Sequence, residues 1–494
     1  MRLPFRSKRL LAVAVAVTAV PATALPLAVP ASAVTEVVTE VVTGGAATSV
    51  TTAGTVASGA VTAETTTSGT VTAGGVLAEP EIPDSPAGRQ LRWFLGAPDR
   101  APLSESELGV HLNSGYLSSL TVNGVNAFLQ ASKGFRLEKL TRETPSALAG
   151  TGAIGEQAFV LQLGVDGDGK INLLGLTPPE PSVPAAPKNW KQLDARLREV
   201  APRVGFLSAE IDSRGRCDVA HAVAPDTVRP LGSIFKLYVL GAVAEKVRDG
   251  KLSWNTKLTI KPEWKSLGED GLTGRPDGGT TTVKEAAKLM ISISDNTATD
   301  ILIHTVGRKA VEAKVRQWSS HATRNIPLLT TREVFLLKGV NHPAQARAYL
   351  ALDTAGRRAY LKDTVAGQSL SDIVLWQKPR EIDTLEWFGS PRDVCRAYAG
   401  LLKLGGKQVS AVMSANDVGI KLDRKKWPVV WAKGGSEPGV LDLSYLARSA
   451  NGRTYVVTAL TSDPAGALDE RVATPELISL SRGGFALADP ARNS

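Results

Sequence analysis

The chain has 494 residues, 43% hydrophobic and 21% charged, an ordinary globular composition with length enough for two or three domains. Its formal net charge is +9, but Arg2, Arg6, Lys8 and Arg9 crowd into the first nine residues. No basic run is interleaved with aromatics, which argues against a nucleic-acid partner. The five histidines (His111, His221, His304, His321 and His342) form no HExxH and join no CxxC, so no metal is expected. In chain order, residues 1–33 read as a secretory signal: a basic start, an apolar stretch from Leu10 to Val29, and Ala31-Ser32-Ala33 as a cleavage site. Residues 34–82 are a low-complexity Thr/Val/Gly/Ser tether. No later segment offers about twenty consecutive apolar residues. A secreted or cell-wall-associated protein without a membrane span is the expectation, and a monomer.

Residues 83–180 form the first folded unit. Gly88–Leu95 and Val122–Leu129 pattern as helix, and Phe135–Leu140, Gln157–Leu163 and Lys170–Leu176 as strands. Asp166-Gly167-Asp168-Gly169 is a hairpin turn that lacks the rest of a calcium loop. Gly150-Thr151-Gly152-Ala153-Ile154-Gly155 matches GxGxxG but follows a loop and precedes a strand, the reverse of a dinucleotide site. With no Walker A lysine either, no organic cofactor is expected. A Pro-rich stretch, Pro178 to Pro187, precedes the second unit, residues 188–494. That unit opens with a helix, Trp190–Val200, and strands Gly205–Asp212 and Cys217–Ala222. It closes with strands at 428–433, 440–448 and 453–462 and a helix near 474–482. Strands at both ends of a helical middle predict one sheet built from both termini and flanked by helices. Cys217 and Cys395 could pair in an oxidising compartment or serve as small buried hydrophobes.

Three short motifs stand in order in this unit: Ser233-Ile234-Phe235-Lys236, Ser294-Asp295-Asn296 and Lys433-Gly434-Gly435. Ser233 opens a run that places Leu237, Leu240, Ala244 and Val247 on one helical face, with Lys236 three residues on and beside it. A serine hydroxyl is a poor nucleophile until a base takes its proton. Lys236 can be that base if burial and a neighbouring cation, Lys433, keep it neutral.

The triplet resembles the SxxK, SDN and K-T/S-G motifs of class A β-lactamases and penicillin-binding proteins. The resemblance implies a three-layer α/β fold, an antiparallel sheet flanked by helices with an all-helical subdomain. It implies an acyl-enzyme on Ser233, with Lys236, Ser294 and Lys433 catalytic. Asn296, Gly435 and Ser436 would bind substrate, the amides of Ser233 and Ser436 forming an oxyanion hole. Two departures stand out. Gly434 replaces a hydroxyl residue that helps hold the substrate carboxylate. The E-x-x-L-N motif that resolves the acyl-enzyme is absent: the equivalent stretch, Glu381-Ile382-Asp383-Thr384-Leu385-Glu386, offers Glu381 and Glu386 as candidates for that role, otherwise reading as solvated loop residues. With the extra N-terminal unit, the chain resembles the two-domain group around the cephalosporin esterase-like protein of clavulanic acid gene clusters. There a small α+β NTF2-like (steroid isomerase-like) domain precedes the β-lactamase-like one, which implies weak esterase and little β-lactamase activity. The expected substrates are esters or β-lactams. The alternatives are a true β-lactamase, a D-alanyl carboxypeptidase acting on cell-wall peptide, or a β-lactam sensor that stays acylated.

Overall fold

The computed structural model describes residues 80–179, 182–268 and 271–489. The expected signal and almost all of the tether lie outside them. The chain divides into two compact units, with the boundary along the sequence near residue 180.

In the first unit, α1 (Pro86–Gly96), α2 (Glu105–His111) and α3 (Ser114–Ala131) precede an antiparallel meander of β1 (Phe135–Thr144), β2 (Ala147–Ile154), β3 (Gln157–Val165) and β4 (Ile171–Thr177). Each helix starts on a polar cap: Ser85, Ser104 and Asn113 accept a backbone N–H from the first turn. Leu91 and Phe94 of α1 and Phe128 and Leu129 of α3 are buried in one core with Leu161, Leu163 and Ile171 of the sheet. The sheet has one strand more than its sequence predicts. The Gly-rich 150–155 segment, expected to lie between a loop and a strand, is itself mostly strand β2. Its glycines are needed there: a Cβ on Gly152 would stand 2.3 Å from the Arg136 carbonyl oxygen and 2.6 Å from the Phe135 ring, beside register shifts in β1. Asp166 makes the expected turn, its Oδ1 accepting the N–H groups of Asp168 and Lys170.

The second unit begins with α4 (Trp190–Val200), β5 (Arg203–Ile211), β6 (Cys217–Val223) and the short β7 (Arg229–Pro230). Then come α5 (Lys236–Arg248), β8 (Lys257–Thr259), β9 (Thr280–Thr282), α6 (Val283–Ser292), α7 (Asn296–Val306) and α8 (Arg308–Trp318). After α9 (Thr331–Gly339), α10 (Ala344–Leu350) and α11 (Thr354–Tyr360), a long connection leads to β10 (Phe388–Gly389), α12 (Pro391–Leu404) and α13 (Lys407–Met413). The unit closes with β11 (Val429–Glu437), β12 (Val440–Arg448), β13 (Thr454–Ser462) and α14 (Glu470–Ala488).

The main sheet has the order β11-β12-β13-β5-β6, antiparallel throughout. The C-terminal hairpin is thus zipped onto the N-terminal one through β13 and β5. Every residue of β13 is buried, because both faces are covered. Alternate residues serve two cores: Val456 and Leu460 face the one containing α5, α6, α7 and α12, and Val457 and Ala459 the one containing α4 and α14. In α12, Val394, Ala397, Tyr398 and Leu401 follow helical spacing and are buried. Pro391 sits in its first turn, and Ser390 and Asp393 close a capping box. Cys217 and Cys395 are joined by a disulfide that ties edge strand β6 to α12. Among the described residues, no helix is long and apolar enough to cross a membrane.

Candidate active site

Ser233 lies in a 3₁₀ turn, Gly232–Phe235, that runs directly into α5 at Lys236. The turn is clamped from two sides. The Leu231 N–H donates to the Trp387 carbonyl at 2.8 Å, and the Trp387 ring stacks on Phe235 with centroids 3.7 Å apart. On the other side is edge strand β11. Gly232 has φ +46°, and a Cβ there would stand 3.1 Å from the Ser436 amide nitrogen. A Cβ on Gly435 would stand 2.3 Å from the Leu231 carbonyl oxygen and 2.8 Å from the Ser233 amide nitrogen. Two glycines let backbone ride on backbone, and the amides of Ser233 and Ser436 come into one corner.

Lys236 is fully buried. Its Nζ donates to the Ser294 carbonyl at 2.5 Å, to Ser294 Oγ at 3.0 Å and to Asn296 Oδ1 at 2.8 Å. All three acceptors are neutral, so burial dominates and pulls the ammonium down to about 7, against the charges of Asp295 and Asp300. Lys433, on β11, donates to Ser294 Oγ at 3.0 Å and to the Gly434 carbonyl at 2.7 Å. Burial, then the charge of Lys236, pushes it well below the usual lysine range. The mutual repulsion thus falls on Lys433, whereas the expected depression of Lys236 comes from burial. One hydroxyl, Ser294 Oγ, bridges the two amines.

The loop carrying Ser294 is held in a sparsely populated conformation, with φ +59° at Ser294. Asp295 caps α7 through Ala298 N–H and accepts Leu272 N–H. Asn296 Nδ2 donates to the Leu267 carbonyl, which fixes its Oδ1 toward Lys236. Asp300, one turn on, is buried and accepts the N–H groups of Thr331 and Arg332 at the start of α9. Burial raises its carboxyl to about 7 despite those bonds.

The two carboxylates proposed for water activation sit differently. Glu381 accepts the Thr384 hydroxyl and lies 3.4 Å from His342. Glu386 is no solvated loop residue: it is 5% exposed. Its carboxyl accepts Trp387 N–H and hydrogen-bonds to Glu437, whose two oxygens take Lys338 Nζ at 2.6 and 2.8 Å. Burial first, then the Glu437 charge, raises Glu386 well above the carboxylate range, against Lys338. Neither glutamate hydrogen-bonds to Ser233, Lys236, Ser294 or Lys433.

Sequence reasoning missed Lys338, Glu437 and Glu470. Glu437 had a signal, since strand alternation puts it on the face of Lys433 and Gly435. Glu470 lies in the first turn of α14, and burial raises its carboxyl. The distance along the chain hid it.

The family model of the beta-lactamase enzyme family matches residues 190–480, more than half of the chain. A second, for the N-terminal part of the ORF 12 gene product, matches residues 82–171. The chain belongs to the beta-lactamase enzyme family, a family of serine hydrolases. Similar solved structures include a beta-lactamase from Sphaerobacter thermophilus, 18% identical, covering 61% of this chain and 98% of that one with a TM-score of 0.41. PBP-A is 18% identical over 61% and 97%, with a TM-score of 0.39. A beta-lactamase from Chitinophaga pinensis is 17% identical over 61% and 98%, with a TM-score of 0.42.

Proposed function

We propose that the protein is an exported serine hydrolase that forms an acyl-enzyme on Ser233 and releases it slowly, acting on esters or β-lactam-type substrates. The observation that carries this reading is Lys236. It is buried one turn from the nucleophile, bonded only to neutral oxygens, and close to half-neutral at physiological pH. A neutral amine there accepts the Ser233 proton as Oγ attacks the carbonyl carbon. The N–H groups of Ser233 and Ser436 hold the developing oxyanion, a contribution of roughly 3–4 kcal/mol per donor. Ser294, between Lys236 and Lys433, passes the proton on to the leaving group. Asn296 orients Lys236 and the bound substrate.

Slow release follows from the carboxyl groups. A base that activates water must be free to take a proton, and burial with the Glu437 charge favours the protonated form of Glu386. Glu381 and Glu386 remain the candidates for deacylation, Glu386 only after losing that proton. This favours the esterase and sensor readings over an efficient β-lactamase. The Cys217–Cys395 disulfide supports export, since such bonds persist in oxidising compartments. The match over residues 82–171, with helices packed on a four-stranded meander, supports an NTF2-like first domain of the esterase-like two-domain group.

The test is intact-protein mass spectrometry over time, with a chromogenic cephalosporin and a p-nitrophenyl ester in separate arms. The expected result is an adduct that persists for minutes on the wild type and is absent from Ser233→Ala. Rapid turnover without an accumulating adduct makes β-lactamase the better name. No adduct and no turnover with either probe refutes the proposed acyl-enzyme.

A further inference from the structure

A second pocket is built against the C-terminal end of β11. Residues 376–381 and His342 line a cavity of about 360 Å³. Its wall is fixed to the strand. A Cβ on Gly439, in the turn between β11 and β12, would stand 2.6 Å from Pro379 Cγ. Arg380 Nη1 donates to the Lys338 carbonyl at 2.8 Å, and Lys338 Nζ in turn holds Glu437 of β11. Several donors in the pocket are uncommitted. The Trp376 indole N–H is screened from solvent and has no acceptor among the described residues, and His342 Nε2 makes no hydrogen bond. Arg380 lies 5.0 Å from the centre of the Trp376 ring. Among the described residues neither Arg380 nor Lys378 forms an ion pair with a carboxylate, and partial burial pulls Arg380 below the usual arginine range. The one acid of the lining, Glu381, is engaged already: one oxygen takes the Thr384 hydroxyl and the other faces His342 at 3.4 Å. Just before the lining, Val374 and Leu375 are 67% and 39% exposed.

We propose that this pocket binds an organic anion, a carboxylate carried on a flat apolar body. Lys378, Arg380 and the Trp376 N–H supply charge and donors. The Trp376 ring, Pro379 and the exposed Val374-Leu375 pair supply the apolar wall. Charge-assisted hydrogen bonds from arginine to carboxylate are among the strongest available, and a screened N–H without a partner is a cost that an acceptor removes. A water takes about 30 Å³ of liquid volume, so the cavity exceeds what a bare inorganic anion fills and falls in the range of small-molecule clefts, roughly 300–1,000 Å³. The carboxylate belongs either to a free ligand or to the acyl group of a substrate held at Ser233. Gly439, against which Pro379 packs, is three residues beyond Ser436, and β11 is an edge strand along which an acyl chain can lie. The site itself stands apart from the acyl-enzyme reading, since binding there needs no reaction at Ser233.

The probe is 4-phenylbutyrate, titrated calorimetrically into the full chain at neutral pH and low salt, with the uncharged 4-phenylbutyramide and inorganic phosphate as controls. Lys378 is exposed, so Lys378→Glu is the variant least able to disturb folding; Trp376→Leu is compared after its thermal unfolding is matched to wild type. The expected result is saturable binding of 4-phenylbutyrate. It weakens about tenfold or more for the amide and in Lys378→Glu, the worth of one charge-assisted contact, and it weakens also in Trp376→Leu. No binding to the wild type at millimolar concentrations, equal binding of the amide, or unchanged binding in Lys378→Glu overturns the proposal. Phosphate binding as tight as that of 4-phenylbutyrate overturns the assignment of an organic ligand. A second arm separates the two sources. Acylation of Ser233 by mono-p-nitrophenyl suberate, whose acyl chain ends in a carboxylate, is followed by peptide mass with and without saturating 4-phenylbutyrate. Suppression that disappears in Lys378→Glu assigns the pocket to the acyl group of a substrate. Undiminished acylation, or none by this ester at all, assigns it to a free ligand and leaves the calorimetric result standing.

Discussion

Two lysines of the second unit are buried to the same degree in opposite surroundings. Lys338 meets both oxygens of Glu437 at 2.6 and 2.8 Å, with Glu386, its carboxyl raised by burial and the Glu437 charge, completing the cluster. Lys236 meets a carbonyl, a hydroxyl and an amide oxygen, all neutral. A buried ammonium with a carboxylate partner holds structure together, because either ion alone would be stranded in a poor solvent. Without one, its charge is costly, its pKa falls, and it becomes a base. Both are reached from one strand face: Lys433 of β11 reaches the Lys236 site, and Glu437, four residues on, reaches Lys338. Ser436, whose amide is the proposed oxyanion donor, lies between. The same strand joins a reactive site to the ion cluster that fixes its end.

The comparison can be broken by exchanging the two roles. Lys236→Met should lower the rate of Ser233 acylation by about 10²–10⁴-fold, the usual worth of a positioned base, while leaving the urea midpoint unchanged or raised. Lys338→Met should do the reverse. Stranding Glu437 beside Glu386 should cost about 3–5 kcal/mol of stability in urea unfolding, with acylation falling only as far as the strand end loosens. Equal effects of the two substitutions on acylation and stability would erase the distinction. Removing the cross-link, as Cys217→Ala with Cys395→Ala, should cost about 2–5 kcal/mol, and the acylation rate of the folded variant should keep its pH dependence. The finest test concerns Glu386. Glutamine mimics a protonated glutamate, so Glu386→Gln should stay within about 1 kcal/mol of wild type, whereas Glu386→Ala leaves a buried gap and an unpaired partner at about 2–4 kcal/mol. If glutamine is as damaging as alanine, Glu386 is not held as the acid.

The sequence made the neighbourhood of Ser233 legible and hid the cluster beside it, for physical reasons. Ser233 and Lys236 are three residues apart, and Ser294 and Asn296 flank Asp295, the cap of α7. These are local patterns that a motif can carry. The α4 helix was readable residue for residue, since Asn189 caps it and Leu193 and Leu197 repeat at helical spacing. Strand β2 was not, because Ala and Gly carry little strand signal, and only the carbonyls and ring of β1 that crowd Gly150 and Gly152 explain them. Glu386 looked like a loop carboxylate because nothing local announces burial. Its partners arrive from α9 and β11, far away in the chain. The Cys217–Cys395 pairing was open for the same reason, being set by where α12 crosses β6.

Acidic pH bears on the central claim, since a base must be neutral to act. Lys236 is lowered to about 7, so its active, unprotonated fraction should rise through that pH and be lost below it. Asp300 is raised to about 7 and would titrate in the same range. An Asp300→Asn variant that keeps the limb assigns it to the lysine. The most direct measurement is therefore the rate of Ser233 acylation from pH 5 to 9 in the wild type and Asp300→Asn, read by mass spectrometry of the Ser233 peptide. The account predicts a rate that climbs about tenfold per pH unit below 7 and levels above it in both proteins. A rate independent of pH across that range, or an adduct on a residue other than Ser233, would contradict it.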